Sequence, residues 1–447
     1  MTRAGPLKAI LDIRREELPF ALAMFGYFFL VITSFWILKP IKKALFIQFY
    51  DQAGFQVLDL TLNAAQAELI AKVLNMVVAF LAVIVFTWLA RRFYRQSLAF
   101  IFTAFFLAGY VLYSYLVETP RDLAVWTFYL FGDLFATLMV ATFFAFLNDS
   151  VTPEAAKRLF GLVVLGGVTG GVFGTTVVRV MIDRISVVEW LWIAFGLGLV
   201  ILVLAYAAGR LVPGLAPPDR PSQDPVPVPD AGAQAGGNPA VEGARLVFRS
   251  SYMLSIVAIV GLYEVVSTIM DFQFTSTIAH YLDGPAIGEM FSTVFAITNV
   301  IAMVVQLFLT SLVMSRFGVG VALCVLPFAV LSGSGAMLAL PVLWVGGLLN
   351  TADNGFAYSI NQSAKEALYV PATRDEKYKA KAFIDMFVQR FAKAIAVGIS
   401  LVITLAVEDF SGVRWLSLVT IPLVLLWLLA VRHAGRRFET LSAVNRA

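Results

Sequence analysis

The chain has 447 residues, 60% of them hydrophobic and only 14% charged, against about a quarter charged in an ordinary soluble protein, and its mean hydropathy is +0.84. A water-soluble globule cannot hide that much apolar surface, so a chain threaded repeatedly through a bilayer is expected. The single Cys324 excludes an internal disulfide framework, the two histidines leave little for a zinc or haem centre, and the +4 formal charge matters less for its size than for its distribution.

Apolar stretches of spanning length run at roughly Pro19 to Leu38, Leu69 to Leu89, Ser97 to Val117, Leu123 to Leu147, Leu159 to Ile182 and Val187 to Ala208. From Val212 to Ala244 the composition changes to Pro, Gly and Ala, and eight of the chain's 18 prolines fall there, which forbids a continuing helix and predicts a linker. Six further spans follow, at about Tyr252 to Ala279, Met290 to Met314, Val319 to Leu331, Val342 to Leu368, Tyr378 to Val407 and Trp415 to Val431. The fold class is therefore all-α and integral to the membrane, with about twelve helices in two six-helix bundles: 1–210 and 251–447, joined by the linker 211–250. With a cytoplasmic N-terminus, 23 of the 33 basic residues fall on the inner side, and only Arg121, Arg184 and Arg414 lie in outer loops. The excess of inner positive charge places both termini and the linker in the cytoplasm. The first 17 residues lack the short apolar core and small-residue site of a cleaved leader, so the first span is expected to stay. Two six-helix halves on one linker is the organisation of a major-facilitator-like transporter, in which substrate binds between the halves near mid-bilayer.

Polar residues within spans carry the functional information, because an ionisable group at mid-bilayer costs several kcal/mol unless it faces a cavity or a partner. In the first span Lys39, Lys42 and Lys43 share a face near the expected outer boundary. Their ammonium groups either snorkel to headgroups or form an anion-attracting mouth. In the fourth span Asp133 lies mid-membrane and shares a face with Asn148, about 22 Å further along at helical rise. The seventh span repeats the stripe with Glu264, Thr268, Asp271 and Thr275, the tenth with Asn350, Asp353, Asn354 and Lys365, and the eighth adds Asn299 and Gln306. Together these stripes argue for an aqueous path, although each alone could be interhelical glue. In the eleventh, Lys381, Asp385, Gln389 and Lys393 follow at intervals of four with Arg390 beside them. Lys393 has no short route to either surface, so it and Arg390 need a counter-anion: an internal acid such as Asp385 or Asp353, or a bound substrate. Lys72 and Arg179 sit near outer span ends and are expected to snorkel.

The strings ILKPIKKALF, FLNDSVTPEAAKRLFG and KEALYVPATRDEKYKAKAFIDMFVQRFAK resemble the non-mitochondrial ATP/ADP translocases of plastids and intracellular bacteria. In the last string Lys365, Glu366, Tyr369, Pro371, Lys379, Lys381 and Asp385 fit that family's Lys-Glu-x-x-Tyr-x-Pro and Lys-x-Lys-x-x-x-Asp pattern. The resemblance implies that the family's basic pair falls on Lys39 and Lys42 and its membrane acids on Asp133 and Asp271. Lys43 stands where the family has an acid, and Thr275 where it often has a lysine. The implied function is exchange of nucleotides, or another organic phosphate anion, across a bacterial inner membrane by alternating access; the polar stripes and the resemblance together draw substrate contacts from Lys39, Lys42, Asp133, Asn148, Asp271, Asn350, Asp353, Lys381, Asp385, Arg390 and Lys393. Two alternatives stay open: a proton-coupled carrier of another small solute, with Asp133, Glu264 or Asp271 as proton site, and a nontransporting membrane sensor or scaffold. Neither enzymatic activity, nor a metal or cofactor, nor nucleic-acid binding is expected; the partners are the substrate anion and the bilayer, and the chain is expected to be a monomer.

The linker composition cannot fill a core. Protease added to inverted vesicles should therefore cut between Pro213 and Ala244, and protection in that orientation would overturn the cytoplasmic assignment.

Overall fold

A computed structural model describes residues 14–51, 54–57, 60–151, 153–212, 245–372, 380–407 and 410–444. The expected linker lies outside the described residues from 213 to 244, as do 373–379 with Lys379 of the eleventh-span motif. In a bilayer core the backbone must satisfy its own polar groups, and helix is how a single segment does so. The long helices are α1 (Leu18–Tyr50), α2 (Ala64–Arg92), α3 (Arg95–Leu116), α4 (Asp122–Ser150), α5 (Pro153–Met181), α6 (Val187–Leu211) and α7 (Ser251–Tyr281). They continue with α8 (Pro285–Arg316), α9 (Gly318–Ala339) and α12 (Ser417–Val444). α10 is Leu343–Phe356, a π-helical turn Ala357–Asn361 and Gln362–Leu368; α11 is Lys381–Phe383, a π turn Ile384–Val388 and Gln389–Ala406. A third π turn, Val305–Leu309, interrupts α8.

Eleven helices are long and apolar enough to cross a membrane. α10, contiguous over its 14, 5 and 7 residue pieces, falls outside that set because Asn350, Asp353, Asn354 and Asn361 lower its hydropathy. As one column it supplies the twelfth span. The ninth span, which looked short because glycine and serine follow Leu331, continues as helix to Ala339. α1 departs further from expectation, running through Pro40 to Tyr50 instead of ending at Leu38. Between α1 and α2 the chain forms a small antiparallel hairpin, β1 (Phe55–Val57) and β2 (Leu60–Leu62), with Phe55 opposite Leu62. Gly54 enters it at φ +63°, where a Cβ would meet the Leu62 carbonyl at 2.8 Å, so glycine is required. Asn63 and Gln66 then start α2 by exchanging side-chain-to-backbone hydrogen bonds at 3.0 and 2.9 Å.

The described residues divide into two compact units, one within Met1–Gln52, Leu74–Val226 and Gly284–Ala296, the other within Ala53–Val73, Pro227–Asp283 and Ile297–Ala447. In the first unit α1 packs most extensively against α5. The α5 glycines allow this: a methyl at Gly166 would stand 2.5 Å from the Phe25 carbonyl oxygen and one at Gly174 2.8 Å from that of Thr33, while Thr33 Oγ1 donates to the Gly170 carbonyl at 3.2 Å. Close backbone approach of this kind replaces the hydrophobic drive that lipid removes. At the start of both helices Arg158 forks onto the buried Glu17 carboxylate, with Nε to Oε2 at 3.1 Å. That hydrogen bond holds the Glu17 carboxyl below its usual range despite opposing burial, so the link is fully present at neutral pH and weakens in acid. Aromatic rings fill the rest of this core, as where Phe28 stacks on Phe143 at 4.4 Å. In the second unit Ala65 and Leu69 of α2 pack with Val265, Ile269 and Phe272 of α7 and Ala392 and Ala396 of α11.

Gly166→Ala and Gly170→Ala should each lower stability by about 1–3 kcal/mol through overpacking. Gly161→Ala, with open space around it, should be neutral or gain up to about 1 kcal/mol of helix propensity. Thermal unfolding of the three variants in detergent checks this, and equal melting of all three would remove the close-approach argument.

Candidate functional site

In the first unit the site is built from α1 and α4. Because α1 continues past Leu38, Lys39, Lys42 and Lys43 lie on a helix inside the bundle. Lys42 and Lys43 are only 4% and 5% exposed. Snorkelling to headgroups is therefore excluded for those two. Lys42 Nζ is salt-bridged to Asp133 and donates to the Tyr129 carbonyl at 3.3 Å, with the Tyr129 ring centroid 4.2 Å away. Its stem runs over Gly132, where a Cβ would come within 2.6 Å of Lys42 Cδ. Lys39 Nζ lies 4.5 Å from the Trp36 ring and 4.9 Å from Phe295, and Lys43 Nζ 5.0 Å from Phe291. Rings at these distances favour a cation through their quadrupole. The expected companion Asn148 is exposed at the far end of α4, next to Asp149, which takes Arg95 Nε at 3.1 Å.

In the second unit three acid-centred groups line α7, α10 and α11. Asp271 is salt-bridged to Lys72 of α2, which also stands 3.4 Å from the fully buried Glu68, and Asp271 accepts from Asn350 Nδ2 at 3.3 Å. Lys72 thus points into the protein and does not snorkel. Asp353, 1% exposed, accepts from Ser267 Oγ at 2.6 Å. Lys393 Nζ lies 3.4 Å from Glu264, with the lysine side chain 46% exposed and the glutamate 13%. Asp385 is not the partner of Lys393. Eight residues of helix separate them by about 12 Å, and the π turn at Ile384–Val388 turns Asp385 out of register; it accepts from Gln389 Nε2 at 3.3 Å instead. Lys381 pairs with Glu366 at 2.6 Å, joining the end of α10 to the start of α11, and is not beside Lys393. Arg390 is half-buried on α11.

The expected residues thus fall into Lys39, Lys42 and Asp133 in one unit and Asp271 with Asn350 in the other; Asp353 stands on Ser267, Lys393 on Glu264, and Lys381, Asp385 and Asn148 lie apart. Glu68, Lys72, Ser267 and the Tyr129 carbonyl belong to these networks and were not anticipated. Glu68 precedes Lys72 by one helical turn, a spacing visible in the sequence; the others show no one-dimensional signal. Chemically, each unit holds ammonium groups in a low-dielectric setting beside carboxylates that counter them.

Residues 20–373 match the family model for the Major Facilitator Superfamily. The chain is similar to ADP,ATP carrier protein 1, chloroplastic, of Arabidopsis thaliana, with 23% identity over 71% of this chain and 55% of that one. It thus spans about half the length of that relative. It is also similar to ADP,ATP carrier protein 1 of Rickettsia bellii, with 20% identity over 97% of this chain and 96% of the carrier. The resemblance read from the three motifs leads to these same plastid and intracellular-bacterial carriers. Among solved structures, the nucleoside transporter NupG superposes with a TM-score of 0.65 at 12% identity, over 93% of this chain and 99% of that one. That likeness is one of fold. The matched model, the all-helical spans and the structural likeness agree that this multi-pass membrane protein belongs to the Major Facilitator Superfamily.

Proposed function

We propose that the protein is a secondary transporter that exchanges nucleotides across the bacterial inner membrane, working as a single chain with cytoplasmic termini. Two six-helix halves, 1–210 and 251–447 with the linker between them, would move by alternating access. The observation that carries this reading is the buried Lys42–Asp133 pair, set on α1 and α4 where the motif resemblance places the translocases' base and acid. Similarity to ADP,ATP carriers over nearly the whole chain supports it. An empty site keeps its lysines neutralised by carboxylates; a polyphosphate competes for the lysines and releases the acids. An acid left uncompensated in low dielectric is costly, so loaded and empty states differ in which helices are held together. The decisive experiment is counterflow of a nucleotide panel in proteoliposomes. Absence of any nucleotide counterflow by well-folded protein would sink the proposal.

Asp133 acts in the cycle and not as a substrate contact, since a carboxylate repels phosphate. Asp133→Asn should slow exchange about tenfold or more while nucleotide Kd changes less than threefold; wild-type exchange in this variant would overturn the role. Lys393 and Glu264 should behave oppositely to one another. Lys393→Gln is expected to weaken nucleotide binding about tenfold, and Glu264→Gln, which frees the ammonium, to leave it equal or tighter. Equal weakening in both variants would make the pair structural.

A further inference from the structure

The two compact units do not follow the two halves of the sequence. Gly284–Ala296, the start of the second half's α8, falls in the first unit with α1, and Ala53–Val73, with the first turns of α2, falls in the second with α7 and α11. Each crossing comes directly after the first helix of its half, at the helix ends where α1 and α7 finish.

The crossing of α8 on α1 is matched in register. Lys39 and Lys43 stand one turn apart on α1, and Phe295 and Phe291 stand one turn apart on α8, which runs the opposite way. Lys39 Nζ lies 4.9 Å from the centroid of the Phe295 ring and Lys43 Nζ 5.0 Å from that of Phe291. The two rings stack on each other at 6.0 Å with 26° between their planes, and Phe291 and Phe295 are 0% and 2% exposed. Trp36 meets Phe295 edge to face at 5.9 Å. Further along, a Cβ at Gly288 would stand 3.4 Å from Ala44 Cβ, and Gln48 Nε2 donates to the Gly284 carbonyl at 2.6 Å. From Trp36 to Gln48 the start of the second half's α8 thus follows α1 for about three turns.

We propose that Phe291 and Phe295 form a two-ring gate: with α8 seated on α1 they cover Lys43 and Lys39, and when α8 leaves they uncover both lysines at the end where α1 finishes. Ring-to-ammonium contacts and an amide-to-carbonyl hydrogen bond part more readily than a buried ion pair. They suit a contact that breaks and re-forms. Lys42, one position from Lys43, is held by Asp133 of its own half and stays with it. The neighbouring lysines of α1 therefore divide into one that fixes the first half internally and two whose ring partners come from the second half. That exchange stops when the gate is locked rests on the transport reading above; the opening of the gate does not.

The test uses the full-length protein carrying Cys324→Ser. Ala44→Cys combined with Gly288→Cys places two thiols within disulfide reach, since the Cβ separation of 3.4 Å is close to the usual span of about 3.5–4.5 Å. The new side chain at 288 otherwise meets only the flexible end of Ile182. Mild oxidation should cross-link the pair and stop ATP exchange in proteoliposomes, and reductant should restore it. A cross-link that does not form, or one that leaves exchange intact, overturns the proposal. A second measurement needs no nucleotide: maleimide labelling, in detergent, of Ala44→Cys alone, a site 6% exposed while α8 is seated. Phe295→Leu keeps apolar bulk but removes the ring, so labelling should quicken about threefold or more. In a Lys39→Met background, where no ammonium is left to cover, the same change should alter the rate less than about twofold. Labelling that is absent, or equally fast with and without Phe295→Leu, overturns the gate, as does an equal effect of Phe295→Leu in both backgrounds. If labelling behaves as expected but no ATP is exchanged by the reduced protein or the wild type, the gate stands and the transport reading falls.

Discussion

A charge that enters the bilayer must bring its counter-charge with it, and the interior of both units is organised around that requirement. Moving a lysine ammonium out of water costs several kcal/mol, which a nearby carboxylate recovers only if geometry is good and the remaining protons find acceptors. Lys42 meets both conditions, with Asp133 as counter-ion, the Tyr129 carbonyl as acceptor and the Tyr129 ring covering it. Those contacts fix where α1 lies against α4. Gly132 has no side chain because the lysine stem occupies that space. On the other flank of α1 the α5 glycines bring two backbones close together. One helix thus carries the Lys42–Asp133 contact and the most extensive helix packing in its unit.

The spans were legible in the sequence because length and hydropathy are one-dimensional properties, as the recovery of every expected span shows. Where the reading failed, it failed at charges. Ending the first span at Leu38 treats Lys39 as a boundary, whereas the helix continues through Pro40 to Tyr50 and carries three lysines inside. Proline removes one backbone donor but leaves the helix intact when neighbouring helices compensate. Lys72 was misread for the same reason: position along a span says how far the membrane surface is, and nothing about Asp271 on another helix. Ion-pair partners are tertiary facts. The stripe Lys381, Asp385, Gln389 and Lys393 assumed a regular α-helix, and the π turn inserted between its members changes which residues share a face. No local composition announces such a turn.

All three π turns among the described residues fall in α8, α10 and α11 of the second unit. A π turn widens the helix and leaves a carbonyl weakly bonded, which makes that turn a low-cost place to change register. Asn361 lies in one of them and Asp385 in another. The first unit has no π turn among its described residues and is filled by stacked aromatic rings. Among the described residues, π turns therefore fall on the half that carries Lys381, Asp385 and Lys393, and stacked aromatic packing on the half that carries Lys42 and Asp133.

That asymmetry bears on how two lysines of the same intrinsic chemistry take different parts. Lys42 is almost wholly enclosed, and freeing it requires simultaneous loss of a carboxylate, a carbonyl and a ring contact. Lys393 is nearly half exposed and holds Glu264 at 3.4 Å, a longer pair. Glu264 is itself only 13% exposed, so the pair is open on the lysine side alone. Burial alone thus makes Lys393 the lysine more easily freed and Lys42 the one held as a structural contact.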